Sequence, residues 1–131
     1  MLYIRSMIPK SCKAYYYGGL PVKGTRRKGQ MWIEGDSFFF NVPEGKGGER
    51  IALNIPFGRL EKVFLTQDNY YGADTTLFNL TFRDERGETF TLRFAPVTFI
   101  PRRRIALQRR WFDYLASLIN SGGSAPPLST K

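Results

Sequence analysis

The sequence predicts a mainly β fold, in which about seven antiparallel strands form a barrel or sandwich that one C-terminal α-helix caps. The 131 residues are enough for one domain with a hydrophobic core of its own. Apolar and polar side chains alternate through much of residues 15–94, which is the period of strands with one buried face. After Pro101 the apolar spacing changes to that of an amphipathic helix.

The first half of the chain predicts a hairpin and a third strand. Residues 30–34 and 37–42 are strand-forming runs on either side of a tight turn that contains a glycine. A polar loop follows over residues 43–49. Residues 51–55 then alternate as a strand with one buried face, which Pro56 ends.

The second half predicts another strand and a second hairpin. Residues 60–65 indicate a shorter strand, and residues 67–74 indicate a loop. Strict alternation over 78–82 and 90–94, joined by a glycine-containing turn at 84–87, is typical of an antiparallel hairpin.

An amphipathic helix of about five turns is predicted from Pro101 to Asn120. A proline suits the first turn of a helix, and the Ser-Gly-Gly sequence after Asn120 ends it. The predicted buried face comprises Ile105, Phe112, Leu115 and Ile119, with Trp111 and Leu118 beside it.

These patterns divide the chain into an N-terminal arm (1–13), one domain (14–120) and a flexible tail (121–131) rich in Ser, Gly and Pro. Arg5 and Pro9 interrupt the arm, which is too short for a signal-peptide core or a membrane span. We therefore expect no transmembrane segment, a reduced cysteine, and a cytoplasmic location that allows peripheral attachment to a membrane.

The composition argues against catalysis. The chain has no histidine and one cysteine, Cys12, which excludes an intramolecular disulfide, a zinc site of the usual nitrogen and sulfur ligands, and a Ser-His-Asp or Cys-His unit. The carboxylates fall mostly in turns or at outward strand positions, so no acid–base pair emerges. We expect no enzymatic activity, no cofactor and no metal, and we expect most of the 15% aromatic residues in the core.

The net charge of +9 is concentrated at the two ends of the chain. Residues 1–30 hold seven Lys or Arg and no acid, and residues 101–131 hold six Lys or Arg and one acid. Such clusters attract nucleic acid, acidic lipid or acidic protein. The alternative is a solvated surface that only keeps the protein soluble.

Three stretches resemble a known family. Residues 29–40 are similar to its second and third strands, and residues 51–63 contain a run similar to its I-x-I-P…I-x-x-V pattern. The hairpin over 78–94 is followed by a helix that bears a tryptophan, Trp111. Over residues 14–120 the chain therefore resembles the pleckstrin-homology-like (PH-like) superfold, in particular GRAM-like and bacterial PH-like domains. The resemblance implies a non-catalytic module that binds phosphoinositides, peptides or partner proteins.

The strand pattern begins at Tyr15, and the first candidate site lies between that first predicted strand and the strand at residues 30–34. In lipid-binding PH-like domains the loop at this place holds inositol phosphates, and several cationic donors here would suit a phosphate group. The usual basic-x-Arg pair of the second strand is absent, since Gln30, Trp32 and Glu34 stand there. We expect loose attraction to anionic lipid here, or a solvated loop. The candidate anion- and lipid-binding residues are Lys23, Arg26, Arg27 and Lys28.

The second candidate site lies at the start of the helix, where an acidic partner surface or a nucleic-acid phosphate would compensate the positive charge. In a PH-like topology this site and the first loop occupy opposite ends of the barrel. A solvated helix face is the alternative. The candidate partner-binding residues are Arg102, Arg103, Arg104, Arg109 and Arg110.

A third candidate consists of tyrosines at 15–17 and 70–71, which would stack on nucleobases if exposed. Alternation buries either Tyr16 or both of its neighbours, so core packing explains at least half of them. Our leading hypothesis is a non-catalytic PH-like module that recognises a partner protein, an acidic membrane surface, or both. The alternatives are a small basic β-barrel that binds nucleic acid and a structural subunit that docks on an acidic partner. The sequence leaves the oligomeric state open.

Overall fold

The computed structural model of the chain describes residues 8–45, 47–70, 73–98 and 100–120. Single 3-10 turns, Phe57–Arg59 and Pro101–Arg103, precede the fifth strand and the helix α1 (Arg104–Asn120). The seven strands are β1 (Cys12–Gly18), β2 (Arg27–Glu34), β3 (Ser37–Val42), β4 (Ile51–Pro56), β5 (Leu60–Tyr70), β6 (Ala73–Arg83) and β7 (Thr89–Val97).

All seven strands belong to one antiparallel sheet in the order β4-β3-β2-β1-β7-β6-β5. The ring centroids of Phe40 on β3 and Phe94 on β7 lie 5.5 Å apart, although β2 and β1 stand between their strands. In a flat sheet three strand spacings would separate them by about 14 Å. The sheet is therefore strongly curled, and the prediction of about seven antiparallel strands with one C-terminal helix is confirmed.

The helix α1 closes the curled sheet with its aromatic side chains. Trp111 is fully buried and packs edge-to-face on Phe38 with 6.2 Å between ring centroids, and Tyr114 packs similarly on Phe57 at 6.5 Å. The core inside the sheet is largely aromatic, as the composition predicted. Its fully buried aromatic members are Tyr16, Phe38, Phe40, Phe78, Phe94 and Trp111.

The predicted loop over residues 67–74 is wrong. β5 continues to Tyr70 and β6 starts at Ala73, with Asn69 opposite Asp74. The polar side chains that suggested a loop bond across the ladder instead, since Gln67 Nε2 donates to Thr76 Oγ1 at 2.8 Å. Residues 71–72, which include one predicted surface tyrosine, lie outside the described part of the chain.

The buried face of α1 is rotated from the predicted one. Trp111, Tyr114, Leu115 and Leu118 are buried, whereas the side chain of Ile105 is 70% exposed. At about 100° per residue, Ile105 lies roughly 130° from the centre of the buried face. The aromatic rings of Trp111 and Tyr114 lie on one flank of the helix. Because that flank packs into the core, Ile105 is left in solvent.

The predicted arm and tail fall mostly outside the described residues, since 1–7 and 121–131 are not among them. The part of the arm that is described includes the start of β1 at Cys12. The pairing of Lys13 with both Gln30 and Val97 ties that part into the sheet.

Candidate anion-binding sites

The first candidate site is the connection between β1 and β2, residues 19–26, which we call the first loop. Lys23, Arg26 and Lys28 are exposed at the loop and at the start of β2. Arg26 has a φ of 56°, a left-handed conformation that few residues other than glycine adopt. Arg27, the first residue of β2, is paired with the buried Tyr16 and faces the interior, where its side chain is only 7% exposed.

Arg27 has a structural role and is not an exposed ligand for anions. Its Nη2 donates to the carbonyl oxygen of Pro43 at 2.8 Å, and its Nη1 donates to that of Lys23 at 3.4 Å. The guanidinium packs so closely on Gly48 that a Cβ there would lie 2.5 Å from Cζ of Arg27. Arg27 thus joins the first loop to the β3–β4 connection.

The carboxylate of Glu49 further weakens the first loop as a site for anions. Its Oε1 accepts a 3.4 Å hydrogen bond from the backbone N–H of Lys23. An incoming phosphate near Lys23 would meet this negative charge, and like charges at short range repel. Lys23, Arg26 and Lys28 therefore form a weaker site than four converging cations would.

The second candidate site is a groove of about 960 Å³ beside the first turns of α1. We call it the arginine groove. Four of the five predicted arginines line it, whereas Arg104 faces a neighbouring groove with Tyr15 and Tyr17. The residues of the arginine groove are Thr98, Arg102, Arg103, Ile105, Ala106, Leu107, Arg109, Arg110 and Asp113.

Charge and apolar surface meet in the arginine groove. One carboxylate, that of Asp113, stands among four guanidinium groups. The groove lies beside the N-terminal end of α1, where the helix dipole adds to the positive potential and makes an anion favourable. Ile105 is 70% exposed there, and Ile100 just before the helix is 37% exposed. The groove therefore suits a partner that is both acidic and partly apolar.

The two basic clusters are separated by the length of β1. Arg27 begins β2 and pairs with Tyr16, close to the end of β1 at Gly18. The helix follows Val97, the last residue of β7, which pairs with Lys13 at the other end of β1. No described residue of the first loop lines the arginine groove. The structure therefore offers two sites and not one.

Cys12 is the one cysteine of the chain. Burial raises the pKa of the Cys12 thiol from 9.0 to about 11. The thiol therefore stays protonated at neutral pH and is a poor nucleophile. Among the described residues, no group of three or more His, Cys, Asp or Glu could hold a metal ion.

The tyrosine prediction divides along the strand. Tyr16 is fully buried, and Tyr15 and Tyr17 are half-buried on the opposite face of β1 with 6.5 Å between their ring centroids. On the same face, Trp32 of β2 stacks on Phe39 of β3 at 5.2 Å, with an angle of 3° between the rings. The alternation of these rings along the strands indicates that some of them face outward. The high aromatic content nevertheless favoured assigning most rings to the core.

Comparison with models of protein families gave no match, and searches of curated proteins and of solved structures gave no significant match either. Within the described ranges, α1 is too short and too polar to cross a lipid bilayer, and no other helix is a candidate.

Proposed function

We propose that this chain is a non-catalytic, PH-like binding module that attaches to an acidic membrane surface through the arginine groove. The observation that carries the proposal is the combination of four groove arginines with the exposed side chain of Ile105. The curled seven-stranded sheet and its C-terminal helix are compatible with a PH-like, GRAM-like fold. The groove, not the first loop, is the surface on which the function rests.

The energetics favour a weak, reversible attachment. Each basic residue near an acidic leaflet contributes about 1 kcal/mol, so Arg102, Arg103, Arg109 and Arg110 together supply roughly 4 kcal/mol at moderate ionic strength. Insertion of Ile105 adds the transfer of an aliphatic side chain out of water, which contributes at most about 2 kcal/mol. The sum corresponds to peripheral binding and not to permanent anchoring.

An acidic partner protein with an apolar anchor would use the same groove, because it presents the same chemistry. Sedimentation with phosphatidylcholine vesicles, with and without phosphatidylserine, separates the two. We expect the protein to pellet with the acidic vesicles alone and to be released by added salt. Equal sedimentation with both vesicle types would exclude recognition of an acidic surface, and sedimentation with neither would leave an acidic protein as the partner.

A further inference from the structure

The convex side of the curled sheet carries a second surface that the arginine groove does not explain. Ala14 and Tyr16 of β1 and Met31 of β2 lie in the core. The residues that alternate with them on each strand therefore point to the convex side. Cross-strand pairing brings these outward residues together into what we call the aromatic face. It consists of Lys13, Tyr15, Tyr17, Lys28, Trp32 and Phe39.

The ring planes of the aromatic face are held by their neighbours. Trp32 and Phe39 are directly opposite in the β2–β3 ladder, and their rings are parallel to within 3°. Tyr15 and Tyr17 contact each other edge-to-face on β1. Because strand pairing fixes these rings, a planar ligand that stacks on them pays little side-chain entropy. Stacking is the recognition mode that such rings offer.

The charge of the aromatic face selects an anionic ligand. Lys28 lies opposite Tyr15, and both Lys28 and Lys13 are exposed. Among the outward positions of β1, β2 and β3, the one acid is Glu34 at the end of β2, and its Oε1 accepts a 3.3 Å hydrogen bond from Trp32 Nε1. The aromatic face is therefore basic and aromatic, with one carboxylate, that of Glu34, at the edge beside Trp32.

We propose that the aromatic face binds single-stranded nucleic acid, with unpaired bases stacked on its rings and the phosphates beside its lysines. Basic surfaces with stacking rings are the usual means of holding a single strand without strong sequence preference. Tyr15 is opposite Lys28, and Lys28 precedes Trp32 by four residues on β2. Tyr15 and Trp32 are therefore about 13 Å apart along the strands. A ligand that reaches both is an extended chain of several nucleotides and not a mononucleotide.

The path of the strand continues toward the helix. Tyr15 and Tyr17 also line a groove of about 380 Å³, to which Arg104 and Gln108 of α1 contribute. Arg104 is the one predicted partner-binding arginine that does not line the arginine groove, and here it supplies a cation at the end of the aromatic face. A duplex keeps the faces of its bases stacked inside and exposes only their edges in the grooves, so the rings favour a single strand over a duplex.

Fluorescence anisotropy with a labelled single strand of about 12 nucleotides, and with the same strand in a duplex, tests the proposal at low salt. We expect tighter binding of the single strand and quenching of Trp32 emission, which the fully buried Trp111 cannot supply. Lys28→Gln with Trp32→Leu should weaken single-strand binding at least about tenfold.

The matched control removes one lysine and one ring elsewhere on the same side of the sheet. Lys62 lies over the ring of Phe64 on β5 at 5.1 Å, and Phe64 is 38% exposed. Lys62→Gln with Phe64→Leu should change single-strand affinity by less than about twofold, because β5 lies outside the aromatic face.

Thermal unfolding establishes that the variants fold. If the Trp32 variant does not fold, Tyr15→Leu replaces it, and its single-strand affinity should fall while the control retains its own. The proposal is overturned by absence of single-strand binding at low salt, by equal affinity for single strand and duplex, or by equal losses in the test and control variants.

Discussion

The Nη2 atom of Arg27 donates to the carbonyl oxygen of Pro43 at a distance of 2.8 Å. This bond connects the start of β2 to the segment that follows β3, and the guanidinium is buried against Gly48. A residue that the sequence groups with three exposed cations is therefore a support for the two loops beside it. Removal of Arg27 should therefore matter mainly through the lost stability of the fold and much less through the lost positive charge.

Arg27→Ala should lower the free energy of unfolding by about 2–4 kcal/mol, because it removes two hydrogen bonds to backbone carbonyl oxygens and leaves a cavity beside the buried Gly48. Urea unfolding measures the change. Lys28→Ala is the control, since the next residue is exposed and its loss should cost less than about 0.5 kcal/mol. Equal costs for the two variants would contradict the structural role of Arg27.

Cys12 should react slowly with iodoacetamide. Burial raises the pKa of its thiol from 9.0 to about 11, so the thiolate fraction at pH 8 is about 100-fold below that of the unfolded chain. The rate should rise with pH up to about 11. Because the native thiol holds its proton between pH 9 and 11 while the unfolded thiol loses it, stability should fall as pH rises through that range. If iodoacetamide modified Cys12 of the native protein as fast as it modifies the protein unfolded in urea, the raised pKa of the thiol would be refuted.

Leu77 should matter more to stability than the ion pair beside it. It is fully buried although it lies on the convex side of the sheet, next to the 2.6 Å contact of Arg93 with Asp68. We expect Leu77→Ala to cost about 2–4 kcal/mol and Asp68→Asn less than about 1 kcal/mol, because the ion pair is partly exposed to solvent. Chemical denaturation of both variants gives the comparison, and a larger loss for Asp68→Asn would reverse our interpretation.

Ile105 should affect binding without affecting folding. Its side chain is 70% exposed, so Ile105→Ser should change the free energy of unfolding by less than about 0.5 kcal/mol. Loss of its insertion should weaken attachment to acidic vesicles by about fivefold. Leu65→Ser removes an aliphatic side chain that is 45% exposed on β5, outside the groove, and should leave vesicle affinity unchanged.

The strands were predictable where the chain alternates strictly. The runs 78–82 and 90–94 are paired as expected because period-2 alternation determines which face is buried. The end of β5 was missed because Gln67 and Asp68 are polar on successive positions, so neither face looks apolar. Gln67 bonds to Thr76 on the next strand of the same hairpin, and Asp68 bonds to Arg93, which is 25 residues away.

The candidate sites were predictable as clusters but not as geometry. Sequence spacing placed Arg102 and Arg109 near each other, and both line the arginine groove. It did not distinguish the buried Arg27 from the exposed Lys28, although Arg27 alternates in phase with the buried Gly29 and Met31 of β2. The local sequence shows which residues are charged, whereas their burial depends on which other segments of the chain pack against them.

Vesicle binding by two charge-matched variants tests the central claim most directly. Arg102, Arg103 and Arg109 are changed to Gln in one protein, and Lys23, Arg26 and Lys28 in the other, so each loses three positive charges. Vesicles that contain phosphatidylserine should bind the first variant about 100-fold more weakly than the unchanged protein, and the second only a few-fold more weakly. Equal losses in the two variants, or undiminished binding of the first, would contradict attachment through the arginine groove.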